Sequence, residues 1–242
     1  MSSESRESVV HRGLAALLAK RRALLAEGYR AVGWKAAFGS AEAKRRLGLP
    51  HLLVGFLTDR SVVPSGTVVS VEGWRRPVVE PEVAVRLRDS VRPGSSPEAV
   101  AEAVGELGPA LELADVHRPP EEDLEAVAAD NIFHRYAVVG EMRPVAFLGS
   151  LAGRVGRVFR KDSQVAVVDD LEAVPGRVVD VLGEMARVLA GLGEALRPGD
   201  LVICGSVIPP LFLDPGDESV AFHLEGFGAV SVRVRVGDAK RQ

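Results

Sequence analysis

The sequence predicts an α+β protein with a large, mostly β core. Residues 5–27 carry apolar side chains at helical spacing and end before Gly28, a residue that commonly terminates helices. After this segment, short apolar runs alternate with Gly- and Pro-containing turns, a pattern typical of strands. The 242 residues are enough for one sizeable core. We therefore expect an N-terminal helical part, residues 1–50, packed on a β-rich core, residues 51–242, as one functional unit.

The strands are predicted from apolar runs that are bounded by turn residues. They are 67–71, 78–87, 109–116, 136–141, 153–160, 164–168, 200–204, 218–224 and 228–236. Pro81 lies inside the second of them and cannot donate a ladder hydrogen bond, so we expect an edge, a bulge or a bend there. Pro198-Gly199-Asp200 and Pro215-Gly216-Asp217 each predict a turn that leads into a strand.

Further helices are predicted between these strands. Ser40 is a suitable N-cap for a short helix that ends near Gly48. Ser96-Pro97-Glu98 places a cap, an N1 proline and a first-turn acid at the start of another. Residues 121–129 and about 177–192 complete the set.

The bulk properties exclude several classes of function. A net charge of −3 gives no basic footprint for nucleic acid or for an acidic membrane surface. The single cysteine, Cys204, excludes an intrachain disulfide and a cysteine-type zinc site. The apolar runs are too short for a membrane span, and the polar start has no signal-like apolar segment. We expect a cytoplasmic protein.

Two glutamates on one predicted strand are candidate metal ligands. Residues two apart on a strand point to the same face, so Glu80 and Glu82 would project together from an otherwise apolar strand. Like charges in such surroundings repel each other and resist desolvation, and a cation between them removes both penalties. Spacing alone also fits a solvated strand face, so this pair by itself does not decide the question.

A third acid strengthens the metal hypothesis. Glu112 lies between Leu111 and Leu113 in an equally apolar strand and needs a partner. Three carboxylates suit a hard cation that prefers oxygen ligands, such as Mg²⁺. We interpret Asp115, at the end of that strand, as a strand-end or turn acid instead.

Six short motifs, in this order, resemble one branch of a known superfamily. They are Gly33-Trp34-Lys35, Gly55-Phe56-Leu57-Thr58-Asp59, Pro77 to Glu82, Pro109-Ala110-Leu111-Glu112, Ala129-Asp130-Asn131 and Leu196 to Gly205. This set of motifs resembles the 2-hydroxypentadienoate hydratase and 4-oxalocrotonate decarboxylase branch of the fumarylacetoacetate hydrolase superfamily. The resemblance runs from about residue 5 to 236.

The resemblance implies a fold, a metal and an assembly. The fold would be a mixed β-roll or sandwich-like core with an N-terminal helical part. Mg²⁺, with Mn²⁺ as an alternative, would bind at Glu80, Glu82 and Glu112, and the chain would form a homodimer or a larger homo-oligomer. The substrate would be a small 2-oxo acid or its 2-hydroxy-dienoic form, whose enolate a chelating metal stabilises.

The resemblance also suggests residues that act on the substrate. Lys35 would shuttle protons or support the enolate, although a strand lysine that reaches water is the alternative. Asp59 would orient Lys35 or a water, or else cap the turn before Ser61. His134 would move protons near neutral pH, or would be a structural histidine.

Three further residues are candidate substrate ligands. Asn131 would hydrogen-bond the substrate or brace a metal ligand. Arg135 would pair with a second substrate carboxylate, although an ordinary surface arginine is the alternative. Ser206 would reach the substrate carboxylate.

One departure from the branch leaves the exact reaction open. Small residues often follow Ala-Asp-Asn, whereas here the chain continues Ile132-Phe133-His134-Arg135. The leading hypothesis is a hydratase that makes 4-hydroxy-2-oxo acids, and the closest rival is a vinylogous 2-oxo acid decarboxylase. A C–C hydrolase is disfavoured because His11 and Glu4 are poorly placed for its lid pair. A weakly active partner subunit is the alternative from another class, and bulky side chains that fill the pocket would favour it.

Overall fold

The computed structural model describes residues 5–214 and 219–235, which form five α-helices and two β-sheets. The helices are α1 (Arg6–Ala26), α2 (Ala41–Leu47), α3 (Pro97–Ala103), α4 (Leu124–Ala129) and α5 (Val178–Gly191). The strands are β1 (Ala31–Ala37), β2 (Leu53–Thr58), β3 (Val62–Pro64), β4 (Val68–Ser70), β5 (Pro77–Leu87), β6 (Val104–Asp115), β7 (His134–Val139), β8 (Arg143–Pro144), β9 (Ala152–Arg160), β10 (Ser163–Asp170), β11 (Leu201–Ser206), β12 (Leu211–Phe212), β13 (Ser219–Leu224) and β14 (Gly228–Arg235).

Local capping chemistry sets the helix ends, as the sequence predicts. The Ser40 side chain accepts a hydrogen bond from the backbone of Ala43, and Gly48 closes α2 in the left-handed conformation. Ser96 caps α3 in the same way, with a proline in the first turn. The predicted turn at Pro198-Gly199-Asp200 precedes β11, whereas Pro215-Gly216-Asp217 lies outside the described residues.

The larger sheet is nine-stranded and curls into a roll. Its main path runs β2-β1-β11-β5-β6-β7-β3, with β12 beside β5 and β8 beside β6. Residues 59–61 alone connect β2 to β3, at the two ends of that path. This link spans at most about 14 Å from Thr58 to Val62, while seven flat strands would be about 29 Å wide. The sheet therefore curls until its two edges come close together, which confirms the predicted β-roll.

The roll separates two apolar environments. Its inner face holds a small cluster that includes Leu57, Ala84, Ala110, Leu201 and Ile203. Its outer face packs against helices and against the second, five-stranded sheet, ordered β10-β9-β13-β14-β4, to form the main core. Because alternate strand residues face opposite sides, the inner face also receives Glu80, Glu82 and Glu112.

The strand pairing on one side of β5 is interrupted at Pro81, while β5 itself is continuous. Pro81 pairs with Leu111 on β6, but on its other side it lies between the end of β11 and the start of β12. The β11 register shifts between Ile203 and Ser206, which is the predicted irregularity. This break brings the backbone of β11 to the side chain of Glu82.

The N-terminal part is built into the roll. Helix α1 packs against α4, while β1 lies inside the large sheet between β2 and β11. Strand β1 falls within the predicted N-terminal part, residues 1–50, but it belongs to the large sheet. The division at residue 50 stays a prediction. None of the helices in the described part of the chain has the length and apolar character needed to cross a membrane.

Candidate metal centre

Three glutamates meet on the inner face of the roll. Glu80 on β5 lies directly opposite Glu112 on β6, and Glu82 follows two residues along β5. One carboxylate oxygen from each lies within 4.8 Å of the others, and Glu82 and Glu112 are each only 1% exposed. Cross-strand like charges destabilise a sheet unless something compensates them, so this arrangement indicates a bound cation.

The carboxylates oppose one another's ionisation. Burial and the charge of Glu112 raise the pKa of Glu80 to about 7. Burial, Glu112 and Glu80 raise the pKa of Glu82 well above its ordinary value. For Glu112, burial acts in the same direction but is outweighed by Lys35 and His134, which hold its pKa below the ordinary value. Glu112 is therefore the most readily ionised of the three, and a bound cation would favour ionisation of the other two.

Lys35 and His134 both bind one oxygen of Glu112. The Lys35 ammonium, buried on β1, forms an ion pair with Oε1 of Glu112. His134 Nδ1 lies 2.7 Å from the same Oε1. Both contacts use Oε1, so Oε2 is the oxygen that Glu112 can offer to a metal. Partners of this kind orient a ligand and tune its basicity.

Glu82 is oriented by the break in β11. The backbone N–H of Gly205 donates to Glu82 Oε2 at 2.7 Å, which leaves Oε1 for a metal. Ser206 pairs with Glu82 in the ladder, but its hydroxyl donates to the carbonyl of Ile208 at 2.7 Å. Ser206 is thus next to the centre, while its proposed contact with substrate stays a prediction.

A left-handed turn carries Asn131, Ile132 and Phe133 into place. All three have positive φ, at 57°, 50° and 65°, a conformation that is costly for residues other than glycine. The turn directs the carbonyl of Ile132 to Lys35 Nζ, at 3.4 Å. The side chains of Ile132 and Phe133 are buried in the main core and do not fill a substrate pocket.

Asn131 fastens this turn to strand β2. Its Oδ1 accepts from the N–H of Phe56 at 2.9 Å, and its Nδ2 donates to the Phe56 carbonyl at 3.0 Å. Both ends of the amide are therefore bound to backbone. Asn131 braces the segment that contacts Lys35, while its expected roles toward substrate or a metal ligand stay predictions.

Gly55 leaves the space that Lys35 needs, and Gly33 lets β11 approach β1 closely. A Cβ at Gly55 would lie 2.7 Å from both Asn131 Oδ1 and Lys35 Cγ. A Cβ at Gly33 would lie 1.8 Å from the carbonyl oxygen of Leu201 on the neighbouring strand. Sequence reasoning placed both residues in motifs but assigned them no role, because only the packing of adjacent strands reveals the missing space.

Asp59 and Arg135 have partners outside the glutamate cluster. Asp59 accepts from the backbone N–H of Arg30 at 2.9 Å and from its Nε at 3.0 Å, and these bonds contribute to the lowered pKa of Asp59. Arg135 donates to Asp130 at 3.3 Å and to the carbonyl of His134 at 3.0 Å. Their catalytic and substrate-binding roles stay predictions.

A cavity of about 420 Å³ is lined in part by His134, which contacts Glu112, and by Asn131, whereas the three glutamates are not among its lining residues. Arg60 and Arg135 line it as well, and the Arg60 guanidinium carbon lies 4.0 Å from the centroid of the Tyr29 ring.

Burial lowers the pKa of His134, so its ring is neutral at neutral pH. Since the ionised Glu112 only accepts hydrogen bonds, Nδ1 carries the proton and Nε2 is the acceptor. Nε2 is buried and has no hydrogen-bond partner in the described part of the chain.

The donor set fits a hard divalent cation. It consists of carboxylate oxygens alone. The carboxylates of Glu82 and Glu112 are each held by a neighbouring donor, and His134 links Glu112 to the cavity. A curled mixed sheet that holds such a centre, with a buried lysine and a neutral histidine against it, defines a metal-dependent enzyme of small-molecule chemistry.

The sequence profile described as fumarylacetoacetate (FAA) hydrolase C-terminal matches residues 28–235, and the chain belongs to that family. A 4-oxalocrotonate decarboxylase from Pseudomonas sp. is 30% identical over 84% of this chain and 78% of its own length. A 2-keto-4-pentenoate hydratase from Paraburkholderia xenovorans (strain LB400) is 27% identical over 84% and 76%. The resemblance inferred from the six motifs is confirmed.

Solved structures agree on the fold. The 4-oxalocrotonate decarboxylase from Pseudomonas putida G7, complexed with magnesium and adipate, superposes with a TM-score of 0.81 at 23% identity, over 96% of this chain and 99% of that one. The fumarylpyruvate hydrolase from Pseudomonas aeruginosa, in complex with Mn²⁺ and pyruvate, gives a TM-score of 0.63 at 18% identity, over 86% and 90%.

Proposed function

We propose that the protein is a Mg²⁺-dependent lyase that hydrates 2-hydroxy-2,4-dienoates to 4-hydroxy-2-oxo acids. The observation that carries this proposal is the buried cluster of Glu80, Glu82 and Glu112, with Lys35 and His134 on one oxygen of Glu112. A hydratase and a decarboxylase among the relatives share this chemistry of 2-oxo acids. Mn²⁺ would suit the same oxygen donors.

The chain's own residues provide charge and proton transfer. Glu80, Glu82 and Glu112 would hold the cation, which when bound supplies Lewis-acid stabilisation of the enolate oxygen. The Lys35 ammonium lies beside Glu112 and adds positive potential there. Nε2 of the neutral His134 has no hydrogen-bond partner in the described part of the chain, so it is the candidate acceptor for a proton during water addition.

A decarboxylase is the second candidate, and the cavity itself favours it. Arg60 and Arg135 line the same cavity as His134, and guanidinium groups suit a second substrate carboxylate. Loss of CO₂ from a carboxylate that is vinylogous to the 2-oxo group would leave its electron pair in a dienolate, and it would need no water-activating base. The 30% identity to a 4-oxalocrotonate decarboxylase supports this alternative.

The test compares two reactions and three proteins. Loss of dienol ultraviolet absorbance is followed with 2-hydroxypenta-2,4-dienoate, and CO₂ release with 4-oxalocrotonate, each with Mg²⁺ and with EDTA. Wild type is compared with Glu82→Gln and with Glu106→Gln. Glu106 lies on the same strand as Glu112 but pairs with Arg86 near the surface, so it controls for the substitution itself.

Each outcome selects one function. Mg²⁺-dependent loss of the dienol that disappears in Glu82→Gln and persists in Glu106→Gln supports the hydratase. CO₂ release with the same pattern selects the decarboxylase. Mg²⁺ binding without turnover of either substrate would refute both activities and leave the partner-subunit alternative.

A further inference from the structure

The second sheet ends in a strand with an open edge. Strand β10 has eight residues and pairs with β9 on one side only, within the described part of the chain. The opposite edge of the sheet, β4, has three residues. A long, uncovered edge presents N–H and C=O groups that can pair with another strand, and proteins usually protect such edges.

The exposed side of β10 is apolar. Val165 is 47% exposed and Val167 is 55% exposed, and alternate strand residues share a face. Val168, between them and the acidic end, is buried against the core. The strand therefore combines an unpaired backbone edge with two solvent-exposed valines. Both features favour pairing with another strand.

The charges of β10 are arranged for pairing with itself. Lys161 and Asp162 form the turn that starts the strand, and Asp169 and Asp170 end it. A parallel copy would place the two acidic ends side by side. An antiparallel copy places Lys161 of each copy beside the acidic end of the other, and it does so twice because the arrangement is two-fold symmetric.

We propose that β10 of one copy pairs antiparallel with β10 of a second copy of this chain. In the register that sets Lys161 opposite Asp169, Val165 lies opposite its own counterpart and Ser163 lies opposite Val167. Two five-stranded sheets then join into one continuous ten-stranded sheet, and both open edges are covered. The two-fold contact closes on itself, so it gives a dimer and not a fibre.

This interface is separate from the metal centre. The glutamates lie inside the roll of the large sheet, whereas β10 is the outer strand of the other sheet. The inference stands independently of the proposed activity, since assembly can be measured without turnover, and a dimer-breaking variant should keep Mg²⁺ binding.

The first test replaces one valine on each edge of the same sheet. The full chain is examined by sedimentation velocity over a range of concentrations as wild type, Val167→Lys and Val68→Lys. Val68 is 50% exposed on β4 and is the matched control. We expect a dimer for wild type and for Val68→Lys. Val167→Lys should weaken dimerisation about tenfold, because it removes an apolar contact across the strand pair and places a cation diagonal to Lys161 of the other copy, twice in each dimer.

A charge exchange tests the register and guards against misfolding. Lys161→Glu alone and Asp169→Lys alone should each weaken the dimer, since each creates two like-charge contacts. The double variant Lys161→Glu/Asp169→Lys should recover it, because opposite charges again face each other. A monomeric wild type, a Val167→Lys variant that dimerises as wild type does, or a double variant without recovery would overturn the proposal.

Discussion

The affinity for Mg²⁺ should fall steeply as the pH drops below neutral, and Glu80 is the group that sets this response. Its pKa is raised to about 7 by burial and by the charge of Glu112. A metal binds the deprotonated carboxylate, so binding must displace whatever proton Glu80 carries. Lower pH increases the protonated fraction and therefore opposes binding.

The size of the effect follows from that pKa. Glu80 is about nine-tenths ionised at pH 8 and about one-tenth ionised at pH 6. From Glu80 alone, the apparent affinity should drop about tenfold between these pH values, and at pH 7 each metal bound should release roughly half a proton. Glu82, whose pKa is also raised, adds a contribution of the same sign.

Isothermal titration calorimetry with Mg²⁺ at pH 6, 7 and 8 measures both quantities, if each titration is repeated in two buffers of different ionisation enthalpy. Glu80→Gln should bind more weakly and lose the Glu80 share of the pH dependence. Glu106→Gln, on the surface of β6, should retain the wild-type slope. An affinity that is constant from pH 6 to 8, with no proton release, would refute the reasoning.

Three further predictions concern the groups around the centre. Lys35→Met leaves the buried charge of Glu112 with less compensation and should destabilise the metal-free protein by roughly 3–5 kcal/mol. In differential scanning fluorimetry, the melting temperature should fall less with Mg²⁺ than with EDTA. Equal falls in melting temperature would contradict this. Gly55→Ala places a Cβ 2.7 Å from the Lys35 Cγ and should cost activity together with about 1–3 kcal/mol of stability. Gly183→Ala, in α5 with open space around it, is its control and should add up to about 1 kcal/mol in urea unfolding. Phe133→Ala should cost about 3–5 kcal/mol in the same assay, yet leave Mg²⁺ affinity unchanged, because its ring packs in the main core; a loss of affinity would place it at the site instead.

Local patterns in the chain were sufficient for much of the fold. The N-cap at Ser40 and the left-handed residue at Gly48 depend on a few neighbouring residues, so α2 could be located from the sequence. Strands β5 and β6 were predicted for the same reason, although β6 begins at Val104, earlier than its apolar run suggests. The short strands β3, β8 and β12 were not predicted, because a two- or three-residue strand has too little pattern to recognise. The longer strands β1 and β2 were also absent from the strands predicted from apolar runs.

The contacts of the remaining site residues could not be read from local pattern. Asp59 was expected beside Lys35 or a water, and the structure shows it bound to Arg30. Asn131 was an expected substrate ligand or brace, and both ends of its amide hold Phe56. In each case the side chain's partner comes from another segment of the chain, whose distance in space depends on how the sheet curls.

The sequence by itself determined that Glu80 and Glu82 share one face of a strand, because side-chain direction alternates with a period of two along any strand. It also placed Glu112 in surroundings where a lone carboxylate is unfavourable. Only the tertiary structure decided that Glu112 lies opposite Glu80, and that Lys35, from a strand 77 residues earlier, reaches its oxygen. Strand order, register and the closure of the roll are non-local properties, since they depend on which faces can be buried together.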